Sequence, residues 1–152
     1  YTKAMKNNTR VRVIGDKTGL AEDLQESIRT LETDTAKNTG LQFQIAINYG
    51  SRDEMLRGMR QMMQDYKEGK ITLEEVDEAH FSDYLDTAGI PDPDLMIRTS
   101  GEQRLSNYLM WQHAYSEFYF TDTPWPEFNK AELVKAIEAY TSRDRRYGKV
   151  KA

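Results

Sequence analysis

Four short apolar runs interrupt an otherwise polar chain, at residues 11–14, 43–47, 95–97 and 118–120. Each is rich in β-branched, aromatic or long aliphatic residues and has the length of a buried strand. Between the first two, Leu20, Leu24, Ile28 and Leu31 recur at helical spacing, and Gly40 supplies a stop, so a helix is expected within residues 20–38. After the second run, Ser51 and Glu54 read as a capping box that opens a helix to about Tyr66, and Thr72 with Glu75 repeats the box. Asn129 and Glu132 fit a related cap for a helix carrying Leu133, Ile137 and Tyr140. Strands alternating with helices of this length predict βαβ units: an α/β fold with a mostly parallel sheet flanked by helices. No repeat, low-complexity tract or linker is visible, so residues 1–152 read as a single domain.

In such sheets ligands bind beyond the carboxyl ends of the strands. The loops to inspect are therefore residues 15–19, 48–52 and 99–107. None holds a Walker phosphate loop or a dinucleotide fingerprint.

Composition narrows the field. With 38% apolar and 30% charged residues the chain should be soluble and globular, and no apolar run is long enough to span a bilayer. A formal net charge of −4 argues against general nucleic-acid binding, so any anion site must be a local arginine cluster. The absence of cysteine excludes disulfides and thiolate metal sites and fits a reducing, cytoplasmic setting. His80 and His113 form no zinc pattern. No signal peptide is visible, and the chain opens on Tyr1 rather than methionine, which suggests a piece of a longer protein.

The third loop carries the chemistry. Arg98 ends a buried strand, Thr99, Ser100 and Gly101 allow a tight turn with backbone donors available, and Arg104 and Ser106 follow at the same mouth. Two guanidinium forks and a hydroxyl can meet a diphosphate with several charge-assisted hydrogen bonds. From spacing alone, an exposed ion pair is the commoner outcome.

The wording of this segment goes further. Arg98-Thr-Ser-Gly-Glu102, Arg104-Leu-Ser-Asn107, Trp111-Gln112 and Glu117-Phe-Tyr-Phe120 follow one another in an order that closely resembles the signature of the cis-prenyltransferases, particularly undecaprenyl diphosphate synthases. Residues 11–16, 38–40, 48–50, 125–128 and 145–148 resemble family text too, so the likeness covers nearly the whole chain. It implies the carboxyl-terminal two-thirds of such an enzyme, which condenses isopentenyl diphosphate with an allylic prenyl diphosphate to build a polyprenyl, here undecaprenyl, diphosphate. By resemblance, Arg98, Arg104 and Ser106 hold the diphosphate of isopentenyl diphosphate. Glu117 matches a glutamate of the magnesium site, its alternative being an ion pair with a neighbouring arginine. Arg146 and Gly148 match an Arg-x-Gly element that serves the partner subunit's site in a homodimer. Without the resemblance, that tail reads as a solvated basic helix end. The implied cofactor is Mg²⁺. No transmembrane segment or nucleic-acid partner is implied, although a lipid product can bring peripheral membrane association.

Two departures stand out. Gln103 occupies a position where several relatives have histidine, and no segment matches the family's Asp-Gly-Asn-Gly-Arg-Trp loop with its principal catalytic aspartate. No residue of this chain is therefore assigned as catalytic; Asp16 belongs to a different family segment. Met55, Met59, Met62 and Met63 fall on one side of a helix and are read as ordinary core, the alternative being a lining for an isoprenoid tail. Trp111, Tyr115, Phe118 and Tyr119 should pack the sheet or a subunit interface. Residues 74–78 read as a solvated helix face. Two rival functions remain: a non-catalytic partner subunit and a general binder of phosphorylated metabolites.

Overall fold

The computed structural model describes residues 2–144. It divides into two compact units, Tyr1–Ile90 and Pro91–Ala152. The division falls where Gly89, Pro91 and Pro93 interrupt the apolar pattern, a cluster of chain breakers.

In the first unit a short helix α1 (Thr2–Lys6) leads to β1 (Arg10–Ile14), α2 (Glu22–Thr35), β2 (Gln42–Ala46), α3 (Ser51–Lys67), a 3-10 turn (Leu73–Glu75) and α4 (Glu78–Ser82). β1 and β2 are parallel, with Arg10 opposite Gln42 and Ile14 opposite Ala46. The core lies where α2 covers β1: Val11, Val13, Ile14 and Ile28 are each at most 6% exposed. Leu24, expected on the same helical stripe, is 41% exposed.

Alternate amides of β1 point away from β2, and each meets a side-chain oxygen. Val11 N–H donates to Thr35 Oγ1 (3.0 Å), Val13 N–H to Glu32 Oε1 (2.7 Å) and Gly15 N–H to Asp86 Oδ2 (2.9 Å). Thr35 donates its own hydroxyl to Leu31 O (2.8 Å), and Glu32 also receives Lys17 Nζ at 3.2 Å. The outer edge of β1 is thereby closed to strand pairing.

The expected capping box at Ser51 is not what starts α3. Gly50 occupies the N-cap, Ser51 is the first helical residue, and Glu54 is only 1% exposed. The Thr72–Glu75 box does form, but it opens a single 3-10 turn rather than a long helix. Gly58 lets α3 approach the segment that follows α4, because a Cβ there would stand 3.0 Å from Tyr84 O. The methionines of α3 are not core: Met59 is 50% and Met63 69% exposed, and with Met62, Tyr66, Ile71, Leu73 and Val76 they line an open cavity of about 430 Å³. The core reading fails because nothing among the described residues of this unit covers Met59 and Met63.

The second unit holds β3 (Leu95–Arg98), β4 (Glu117–Phe120), a 3-10 turn (Trp125–Glu127) and α5 (Lys130–Thr141). β3 and β4 are parallel, Leu95 facing Glu117 and Arg98 facing Phe120. Asn129 caps α5 as expected, its side chain accepting from Ala131 N–H (2.9 Å) and Glu132 N–H (3.3 Å). Glu132 instead reaches Thr123 Oγ1 at 3.2 Å and Lys135 Nζ at 2.6 Å. Parallel strands and flanking helices agree with the α/β expectation.

Candidate functional site

Arg98 is the last residue of β3, so its side chain leaves the sheet at the carboxyl end, where α/β folds bind ligands. The turn that follows is held by the backbone just after β4. Ser100 (φ 65°) and Gly101 (φ 71°) are left-handed, and their N–H groups donate to Thr123 O (3.1 Å) and Thr121 O (3.0 Å). These donors, expected to be available for an anion, are spent on the backbone.

The Arg98 guanidinium reaches forward to the carbonyl of Arg104 and to Ser106 Oγ (3.2 Å). Arg98, Arg104 and Ser106 thus share one loop and line a cavity of about 290 Å³ with Met96, Ile97, Leu105 and Tyr108. Arg104 is ion-paired with Glu102 and remains largely exposed. Pairs of this kind are weak in water, so an incoming diphosphate can displace the carboxylate. Ser106, Asn107 and Leu109 take φ values of 50°, 61° and 44°. Three non-glycine residues in the left-handed region cost of order 1 kcal/mol each, and such strain collects where a structure fixes side chains for a task.

Glu117 is not brought to this cluster. It opens β4 opposite Leu95, whereas Arg98 faces Phe120, so along the strands the two lie about 10 Å apart at ~3.3 Å per residue. Its carboxylate receives Arg143 at 2.8 Å. A carboxylate oxygen suits a hard divalent cation, but no group of three acidic or histidine side chains able to hold one is found among the described residues. Glu117 alone fits magnesium as one ligand, with the remaining oxygens to come from substrate phosphates or elsewhere. Gln103 is exposed, and Arg146 and Gly148 lie outside the described residues.

Sequence reading missed a second feature of this unit. His113, 6% exposed, stands 2.8 Å from Ser116 Oγ through Nδ1, and Ser116 donates to Pro93 O at 2.5 Å. The His-x-x-Ser spacing was the available signal. Burial lowers the His113 pKa, and the charge of Asp92 opposes that.

In the first unit, the loops leaving β1 and β2 are tied by buried charge. Glu54 accepts from Tyr49 Oη (2.6 Å) and Asp86 N–H (2.9 Å). Arg57 makes a fork to Asp86, both bonds 2.8 Å, and reaches Asp53 at 2.8 Å. Burial raises the Asp86 pKa, but the hydrogen bonds from Arg57 and Gly15 outweigh it and hold the carboxyl below its ordinary range. Gly15 (φ 118°) sits in this knot because a Cβ would lie 2.0 Å from Ile47 O. Asp16, half-buried, accepts from Thr18 Oγ1 (2.6 Å) and Thr18 N–H (3.0 Å), and these bonds lower its pKa. These bonds turn the loop that follows β1.

A parallel α/β scaffold gathers two arginines and a serine at one strand end, and comparison with known proteins places the chain in a family. The family model described as "Putative undecaprenyl diphosphate synthase" matches residues 1–148, and the chain belongs to this family of cis-prenyltransferases. An isoprenyl transferase of Clostridium perfringens is 48% identical over 146 residues, 96% of this chain and 58% of the relative. A lavandulyl diphosphate synthase from Lavandula x intermedia, solved with dimethylallyl diphosphate, superposes with a TM-score of 0.90 at 37% identity, over 95% of this chain and 62% of that one. A probable undecaprenyl diphosphate synthase from Campylobacter jejuni gives 0.84 at 36% identity, over 97% and 67%. The chain thus spans a little under three-fifths of the length of the curated relative.

Proposed function

We propose that the chain is the isopentenyl diphosphate-binding portion of a cis-prenyl chain-elongating enzyme whose product is a polyprenyl diphosphate of the undecaprenyl type. The observation that carries this reading is the convergence of Arg98, Arg104 and Ser106 on one loop at the carboxyl end of β3. Arg98 and Arg104 neutralise and orient the diphosphate, and Ser106 adds a neutral hydrogen bond. With the diphosphate fixed, the double bond of isopentenyl diphosphate is presented to an allylic primer, so that alignment and charge stabilisation are the protein's contribution. Proton loss then leaves the new cis double bond. Magnesium, when bound, would neutralise charge on the departing diphosphate of the primer, and Glu117 is the described residue that would help hold it.

The sequence contains no Asp-Gly-Asn-Gly-Arg-Trp segment. We infer that ionising the primer requires that loop, and that the 152-residue chain assayed alone is at least tenfold slower than a full-length relative. A homodimer in the cytoplasm, with Arg146 and Gly148 serving the partner's site, completes the reading.

The deciding experiment is calorimetric titration with isopentenyl diphosphate, inorganic diphosphate and nucleotides. A prenyl site rewards the apolar tail, so isopentenyl diphosphate should bind most tightly; equal affinity for all three would indicate a general binder of phosphorylated metabolites. For Glu117, the substitution Glu117→Gln in a full-length enzyme should raise the magnesium concentration at half-maximal activity and leave the melting temperature unchanged. A large loss of thermal stability with unaltered magnesium dependence would assign the residue to its pair with Arg143.

A further inference from the structure

Ser116 carries one hydroxyl proton, and the carbonyl of Pro93 at 2.5 Å can only accept it. The Ser116 oxygen must then accept from His113, whose Nδ1 stands 2.8 Å away. His113 therefore carries a proton on Nδ1, and when neutral it is the Nδ1–H tautomer with a bare lone pair on Nε2. That Nε2 is buried and has no hydrogen-bond partner among the described residues. Phe118 meets the ring edge-on at 6.0 Å, and Tyr108 lies against it at 6.1 Å.

A neutral imidazole tolerates this enclosure; an imidazolium does not, because its second N–H would be buried without an acceptor. Phe118, Ser116 and the Pro93 carbonyl bring no charge. Tyr108 stays neutral, burial raising its pKa, and the exposed Asp92 is the acidic group whose charge favours the proton, against the larger effect of burial.

His113 also supports the far end of the loop that bears Ser106, through its backbone amide and through the contact of its ring with Tyr108. His113 N–H donates to Leu109 O (2.9 Å), Tyr108 N–H to Leu105 O (3.2 Å), and the Tyr108 ring rests on the imidazole. Ser106, Asn107 and Leu109 between them are left-handed without being glycine, and such a run persists only while its surroundings hold it. Tyr108 lines the Arg98–Ser106 cavity on one side and touches His113 on the other.

We propose that neutral His113 is a positioning residue for this loop, and that its protonation releases residues 105–109, making diphosphate capture sensitive to pH. The proposal rests on Arg98, Arg104 and Ser106 forming the diphosphate site. His113→Asn keeps a donor for Ser116 but cannot titrate, and His113→Phe fills the space should the first variant fold poorly. Two measurements on the 152-residue chain decide the matter. In ligand-free ¹⁵N NMR, His113 should show the Nδ1–H tautomer, and the amides of residues 105–109 should broaden in one step as pH falls below 6.5; neither variant should show that step. In calorimetry, affinity for inorganic diphosphate should fall at least fivefold more between pH 7.5 and 5.5 in the original chain than in His113→Asn. The Nε2–H tautomer, or loop amides that titrate alike in chain and variants, would overturn the proposal. Absence of diphosphate binding at pH 7.5 would overturn the functional reading instead, and the NMR arm would still judge the loop.

Discussion

The loops that leave β1 and β2 and the loop that leaves β3 occupy equivalent places on their strands, yet they are held by different chemistry. Beyond β1 and β2, buried or half-buried carboxylates stitch segments distant in sequence: Glu54 to Tyr49 and Asp86, and Asp86 to Arg57 and Gly15. Beyond β3 the fastening is local, running from Arg98 to Ser106 and through Tyr108 to His113, with an exposed Arg104. Charge removed from water and fully paired makes a rigid joint whose members cannot be spared. Charge left near water with exchangeable partners makes a joint that can trade a carbonyl or carboxylate for a ligand.

The largest effect should come from breaking the rigid joint. Asp86→Ala leaves Arg57 without its fork and Gly15 N–H without an acceptor, and should cost about 3–5 kcal/mol, read as a shift of the urea midpoint. A change below ~1 kcal/mol would mean that the Arg57 fork contributes no more than a surface pair.

In the adaptable joint the loss should be functional. Arg98→Ala should weaken isopentenyl diphosphate binding by tenfold to a hundredfold or more, roughly 1.5–3 kcal/mol, with the urea midpoint nearly unchanged. Arg104→Ala should lose less in the ligand-free loop, since its side chain is 64% exposed. Equal losses of stability in Asp86→Ala and Arg98→Ala would erase the contrast.

Acid separates the two joints by sign and range. Asp86 titrates below its ordinary 3.8 in the folded chain, so its contribution is intact above that value and is lost as pH falls through the lower, folded pKa. His113 titrates below 6.5, so the unfolded chain takes up its proton first and stability declines as pH drops from 6.5 toward the folded pKa. Stability curves against pH should lose the upper decline in His113→Asn and the lower one in Asp86→Asn.

The smallest effect concerns neither joint. Asn129→Ala removes the cap of α5 and should cost about 1 kcal/mol, with diphosphate affinity untouched.

The strands and the Arg98–Ser106 loop were legible because each depends on residues close together in sequence. A run such as Val11-Arg-Val-Ile declares a strand, and Asn129 declares a cap within four residues. Glu54 was misread for the same reason. Its spacing from Ser51 imitates a capping box, while its real partners include Asp86, 32 residues away and visible only once α4 has folded back. The methionines of α3 show the opposite failure: helical spacing marks an apolar stripe but says nothing of what covers it. Glu117 was expected just ahead of the run at 118–120 and instead opens β4, and its distance from Arg98 follows from strand register, which no local motif records.

The row of amides along the outer edge of β1 has a consequence for hydrogen exchange. Amides at a sheet edge ordinarily trade their protons with solvent quickly. Val11, Val13 and Gly15 are bound by Thr35, Glu32 and Asp86, so deuterium should enter them as slowly as it enters a central strand. Gln42, Gln44 and Ala46, on the far side of β2, face no strand in this unit and should exchange fast. A two-stranded sheet is thereby given a closed end and an open one. Any strand that joins it has a single place to go, written in the exchange rates before the strand arrives.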